Sequence, residues 1–115
     1  MRWSEVWVLN LDPTIGAEIR KTRPAVIVND DAVGSLPLRV VVPLTDWKER
    51  YAQAPWMVQV PARAANGLDK TSAADAFQVR SVARERFVRR LGTLSAPEMK
   101  AVGRALAIVL RLGQA

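Results

Sequence analysis

The apolar positions follow two different periods along the chain. Residues 5–11 (E-V-W-V-L-N-L) carry a strand-like alternation of apolar and polar side chains, and the turn-forming stretch 12–16 (D-P-T-I-G) then breaks it. Residues 24–29 (P-A-V-I-V-N) and 38–44 (L-R-V-V-V-P-L) are short, nearly unbroken apolar runs rich in β-branched residues, the pattern of strands buried on both faces. Residues 56–60 alternate again, and 76–82 and 87–91 complete a set of about six predicted strands. The period then changes. Ser95, Pro97 and Glu98 form a capping-box signature, Met99, Val102, Leu106, Val109 and Leu110 recur at helical spacing, and Gly113 offers a stop. Six strands followed by one amphipathic helix predict a mainly β fold, a small curled sheet or barrel covered by a C-terminal helix.

Composition narrows the chemistry more than the fold. At 115 residues, half of them hydrophobic and 24% charged, the chain reads as one globular domain over 1–115. It contains no cysteine and no histidine, which removes disulfides, thiolate metal sites, the usual zinc ligand and the usual general base. No cofactor is expected. The early charges Arg2, Glu5 and Asp12 do not suit a signal peptide, and the longest apolar stretch, 105–110, falls far short of the ~20 residues that span a bilayer. These features point to a soluble, cytoplasmic protein without a membrane partner.

Charge is distributed unevenly. Residues 1–60 hold seven basic and seven acidic side chains, whereas 61–115 hold ten basic and four acidic, so the whole excess of +6 lies in the second half. Arg80, Arg84, Arg86, Arg89 and Arg90 crowd into eleven residues with only Glu85 between them. Such clustering fits a polyanion binder, and equally a solvated edge strand.

Two polar clusters border the apolar strands. The segment 12–24 is long for a hairpin loop, and long loops in compact domains often carry function. Within it Arg23 precedes Pro24, which favours extended backbone at a strand mouth. The second cluster, V-P-L-T at 42–45, puts the Thr45 hydroxyl at the end of an apolar strand.

At these residues a resemblance becomes specific. The stretches D-P-T-I-G-A-E (12–18), K-T-R-P-A-V-I-V-N-D (21–30), V-V-P-L-T (41–45), L-D-K-T-S (68–72), Q-V-R-S-V (78–82) and G-T-L-S-x-x-E-M (92–99) resemble, in order, the signature segments of the MazF/PemK toxin family. Two positions depart from the pattern: Ser4 replaces a glycine before the first strand, and Phe77 stands where members often have an acidic residue. The resemblance implies an SH3-like β-barrel of the PemK/CcdB type, a homodimer, and an endoribonuclease toxin inhibited by a cognate antitoxin. It implies sequence-selective cutting of single-stranded RNA by 2′-hydroxyl attack, without a metal, leaving a 2′,3′-cyclic phosphate and a 5′-hydroxyl. Carried onto this sequence, the implied catalytic residues are Arg23, Thr45 and Glu18, and Ser72 and Gln78 match RNA-contacting positions; the basic residues Lys21, Arg80, Arg84 and Arg86 complete the expected RNA-binding set.

The residue types suit that reaction. Its transition state gathers charge on phosphate oxygens, which a planar guanidinium matches with several donors. Thr45 can donate one more hydrogen bond there, in the manner of an oxyanion hole. The base for the 2′-hydroxyl stays open: Glu18 suits it on pKa grounds, whereas arginine, with a pKa above ~12, is a poor base. Trp47, Tyr51 and Trp56 flank the segment after Thr45 and can either stack on bases or pack a core. Two rivals are a toxin of the same fold that poisons a protein such as DNA gyrase, and an RNA-binding module without turnover. The first would make no use of the Arg23 and Thr45 pair.

Overall fold

The computed structural model describes residues 1–11, 15–18 and 22–113. Seven strands and one helix follow in order: β1 (Glu5–Asn10), β2 (Thr22–Ile27), β3 (Leu38–Asp46), β4 (Met57–Val60), β5 (Ser72–Asp75), β6 (Arg80–Ala83), β7 (Phe87–Thr93) and α1 (Ala96–Leu110). All pairings are antiparallel. The sheet runs β4-β5-β3-β2-β1-β7, with β6 also on β3. It curls in barrel fashion but stays open, with β4 and β7 at its two ends.

The continuous apolar runs of β2 and β3 have the predicted cause. Val26 and Val42 face a core shared with Leu44, Val60, Met99 and Val102 under α1, whereas Ala25, Ile27 and Val41 face a second core with Leu9, Leu11 and Val82. Both faces are therefore buried.

The structure corrects the predicted strand count. The chain between residues 72 and 83 does not form one strand at 76–82 but two short ones, β5 and β6, laid end to end along the same edge of β3. Leu44 pairs with Ala74 and Val41 with Arg80, so three steps along β3 face six along the opposite segment. The three surplus residues are extruded as the 3-10 turn Ala76–Gln78. Pro43 sits at the gap between the two pairings, where its missing N–H costs no ladder bond on that edge.

At α1 the capping box is present as expected. Ser95 Oγ accepts from Glu98 N at 3.3 Å, and Glu98 Oε1 accepts from Ser95 N at 2.9 Å. The helix stop differs: Arg111, at φ 57° and ψ 42°, takes the left-handed cap position two residues before Gly113. Of the helix stripe, Met99 and Val102 enter the core, while Leu110 is exposed. No helix among the described residues is long and apolar enough to cross a membrane.

Ser4 stands at a position whose backbone suits glycine, and nothing in the structure explains the serine. Its φ of 75° is a backbone setting that favours glycine, and it is held there by Ser4 N donating to Ile27 O and Leu94 N donating to Ser4 O.

Candidate active site

Arg23 lies near the start of β2, paired with Leu9 of β1, and Thr45 lies near the end of β3, paired with Ala73 of β5. The strand ladders thus bring two residues that are distant in sequence to one cleft of about 360 Å³. Gly16, Ala17, Glu18, Tyr51, Asp75 and Gln78 complete its lining. All three expected catalytic residues are there. Glu18 belongs to a compact turn in which Ile15 N donates to Glu18 Oε1 at 2.6 Å and Glu18 N donates to Ile15 O at 3.3 Å. The arrangement offers a cation, a hydroxyl and a carboxylate around one cleft. Among the described residues no group of three or more acidic side chains is placed to hold a metal ion.

The cleft continues in two directions. Through Glu18 and Gln78 it joins a cavity of about 340 Å³ lined by Leu11, Pro43, Phe77, Val79 and Arg80. Through Arg23 it joins another of about 230 Å³, lined in part by Gly67, Leu68, Asp69, Arg89 and Leu91. Three adjoining pockets thus make up a trough, with Arg80 lining one, Arg23 shared by two and Arg89 lining the third.

The wall at residues 61–69 is locked from inside. Asn66 is fully buried: its Oδ1 accepts from Arg63 N at 3.1 Å and Leu68 N at 3.0 Å, and its Nδ2 donates to Pro61 O at 2.9 Å. Gly67, at φ +68°, and Gly92 allow this segment to lie directly on β7, since a Cβ at either would collide with backbone carbonyl oxygen.

The RNA-binding expectations divide. Gln78 and Arg80 line the trough. Ser72 does not: it is buried, and its hydroxyl donates to Lys70 O at 3.0 Å, a bond that shapes the turn into β5. Arg84 is exposed on the 3-10 turn Arg84–Arg86 and does not line the trough. Arg86 Nη1 donates to Asn10 O at 3.0 Å, bracing the end of β1. The arginine run is therefore dispersed instead of forming one patch, with Arg90 drawn to Glu5 (Nε to Oε2 3.4 Å) and Thr93 (2.9 Å). Lys21, like 12–14 of the first signature segment, lies outside the described residues.

This chain matches, over residues 2–110, the model of the PemK-like, MazF-like toxins of type II toxin-antitoxin systems. It belongs to that family. Endoribonuclease MazF9 of Mycobacterium tuberculosis is 36% identical over 118 residues, which cover 97% of this chain and 98% of that one. The fold superposes on MazF from Deinococcus radiodurans with a TM-score of 0.80 at 25% identity, covering 96% of each chain. A MazE-MazF structure from the same organism gives 0.71 at 26% identity, covering 97% of this chain and 96% of that one.

For a MazF-like site, the sequence left Asp75 unassigned and Tyr51 open between base stacking and core packing. Asp75 was hidden among small residues, yet its Oδ2 accepts from Gln78 Nε2 at 3.0 Å inside the cleft. Tyr51 is oriented by Trp47 at 5.9 Å and by Arg50 over its ring at 5.2 Å. Arg89 was legible only as one of a run.

Proposed function

We propose that the cleft holds the scissile phosphate of a single-stranded RNA and that cleavage proceeds by 2′-hydroxyl attack without a metal ion. Endoribonuclease activity follows from membership of this toxin family and from a curated relative of that name matched over nearly its whole length. The observation that carries the mechanism is the meeting of Arg23, Thr45 and Glu18 in one cleft. Glu18 takes the 2′-hydroxyl proton, the 2′-oxygen bonds to phosphorus, and the P–O5′ bond breaks. The leaving 5′-oxygen takes a proton from the Arg23 guanidinium, which regains one from solvent. Arg23 and Thr45 meet the growing charge on the non-bridging oxygens with hydrogen bonds that strengthen in the transition state. The products are a 2′,3′-cyclic phosphate and a 5′-hydroxyl.

The protein works in the cytoplasm as one domain and as a homodimer. Exposed Ile108, Leu110 and Leu112 at the end of α1 are apolar surface of the kind that a two-fold interface buries. A cognate antitoxin with an acidic segment would compete for Arg80, Arg23 and Arg89 in the trough.

Incubating the purified protein with a long single-stranded RNA in EDTA, then sequencing 5′-hydroxyl ends, tests the mechanism. Cuts at a recurring short motif are expected. Binding without cuts would leave only an RNA-binding module, and neither would point to a protein target. Sedimentation equilibrium at micromolar concentration should give twice the 12.7 kDa chain mass.

A further inference from the structure

Phe77 is the most exposed aromatic side chain among the described residues, at 63%, yet it is held in place. It sits on the three-residue extrusion between β5 and β6, whose two ends are pinned by ladder pairing to β3. Asp75 Oδ1 accepts from Phe77 N at 3.1 Å, and Ala76 N donates to Trp56 O at 3.1 Å. The Phe77 and Trp56 rings form a T-shaped pair, with centroids 5.7 Å apart and planes at 71°. A phenyl held by one ring contact and by its backbone, yet left open to water, is a preformed surface for another flat ring.

Its surroundings say which ring. The adjoining cavity has an apolar floor at Leu11 and Pro43, an amide at Gln78 and a guanidinium at Arg80. Those groups suit the three parts of a nucleotide: a base face, a base edge and a phosphate. We propose that Phe77 is the stacking platform for the nucleobase next to the scissile phosphate, and that Asp75 positions both Phe77 and Gln78 for it. The cavity shares Glu18 and Gln78 with the cleft of Arg23 and Thr45, which sets this base beside the cut. Stacking supplies affinity for any base, while the Gln78 amide, fixed by Asp75, discriminates between base edges. This proposal rests on the RNA-cleaving function.

The test compares Phe77→Ala, Phe77→Leu, Phe77→Trp and Asp75→Asn with the wild-type protein on one long RNA, reading kcat, KM and the map of cut sites. A stacked base contributes ~1–3 kcal/mol, so Phe77→Ala should raise KM by roughly 5- to 150-fold while kcat changes little. Phe77→Leu should lose as much despite its apolar side chain, and Phe77→Trp should recover the affinity. Asp75→Asn should blur the nucleotide preference at one position of the cut motif. If Phe77→Ala and Phe77→Leu cut with wild-type KM and an unchanged map, the platform is refuted while the ribonuclease stands. If the wild-type protein cuts nothing, the ribonuclease reading falls and takes the platform with it. A Phe77→Ala protein that sediments at half the wild-type mass would make Phe77 an interface residue and overturn the proposal.

Discussion

The floor of the trough and its rim are built differently. Arg23 and Thr45 stand on paired strands whose neighbours Ala25, Val26, Val42 and Leu44 are fully buried, so neither backbone can move without disturbing a core. Phe77 and Gln78 stand on a turn, each held by a few local hydrogen bonds. The difference matches a division of labour. Every RNA presents the same phosphate, and its proposed partners Arg23 and Thr45 sit on the rigid part. Bases differ between RNAs, and the residues proposed to face them sit where substitution costs the fold little.

Arg23→Ala should show that separation most strongly. Losing a charge-assisted transition-state contact should cut turnover by ~10²–10³ or more, while the melting curve and circular dichroism stay as in wild type. Activity within tenfold of wild type would remove Arg23 from the phosphate.

The opposite wall sharpens the comparison, because it is a loop built like a floor. Asn66→Ala leaves the buried amide of Leu68 and the part-buried amide of Arg63 short of an acceptor, so urea unfolding should report a loss of roughly 1–3 kcal/mol. The folded fraction should keep its kcat. A wild-type urea midpoint would mean that this wall is no more locked than the rim.

Thr45→Ala should lower kcat about 10- to 100-fold with little change in RNA affinity, the signature of a bond made mainly in the transition state. Thr45→Ser should retain most of the rate. A serine variant as inactive as the alanine one would assign the role to the methyl group.

Two positions on the β1 side test the scaffold alone. Burial pushes the Glu5 carboxyl up, but hydrogen bonds from the Trp7 indole and the Arg2 amide, with the N-terminal ammonium close by, outweigh it, and the net pKa lies below the usual 4.5. A depressed carboxylate contributes stability that is present above its unfolded pKa and is lost as pH falls through the folded one. Glu5→Gln should therefore unfold more easily at neutral pH, by ~1–2 kcal/mol, and lose less on acidification. An acid limb identical to wild type would show that Glu5 does not contribute to it. Ser4→Gly should stabilise by about 1 kcal/mol, since glycine reaches φ 75° without the Cβ penalty. Neither change should alter the cut map.

How much of this was legible in the sequence depended on where the information lay. The α1 cap is local chemistry, and so is the double burial of β2 and β3; both could be read directly. β5 could not, because S-A-A-D has no branched or aromatic residue, and its strand geometry comes from partners on either side, β3 and β4. The extrusion at Ala76–Gln78 is a mismatch between two registers, which no single segment records. It took Asp75 out of view with it and left Phe77 legible only as a departure from the family pattern. Arginine spacing was misleading in the opposite sense: the 3-10 turn and the bulged pairing of β7 send neighbours in sequence to different surfaces. Arg111 could take the helix stop ahead of Gly113 because its N–H bonds to Ile108 O and that of Leu112 to Ala107 O, geometry that glycine spacing does not encode.

Glu98 links parts that would otherwise melt apart. One of its oxygens closes the first turn of α1 on Ser95, and the other lies 3.4 Å from Arg63 Nε. Arg63 in turn donates its N–H to Asn66 and accepts from Gly67 N, in the wall beside Arg23. Helix start and cleft wall should therefore open as one unit, and hydrogen exchange would show it as a common rate for the amide protons of Leu68, Thr93 and Met99.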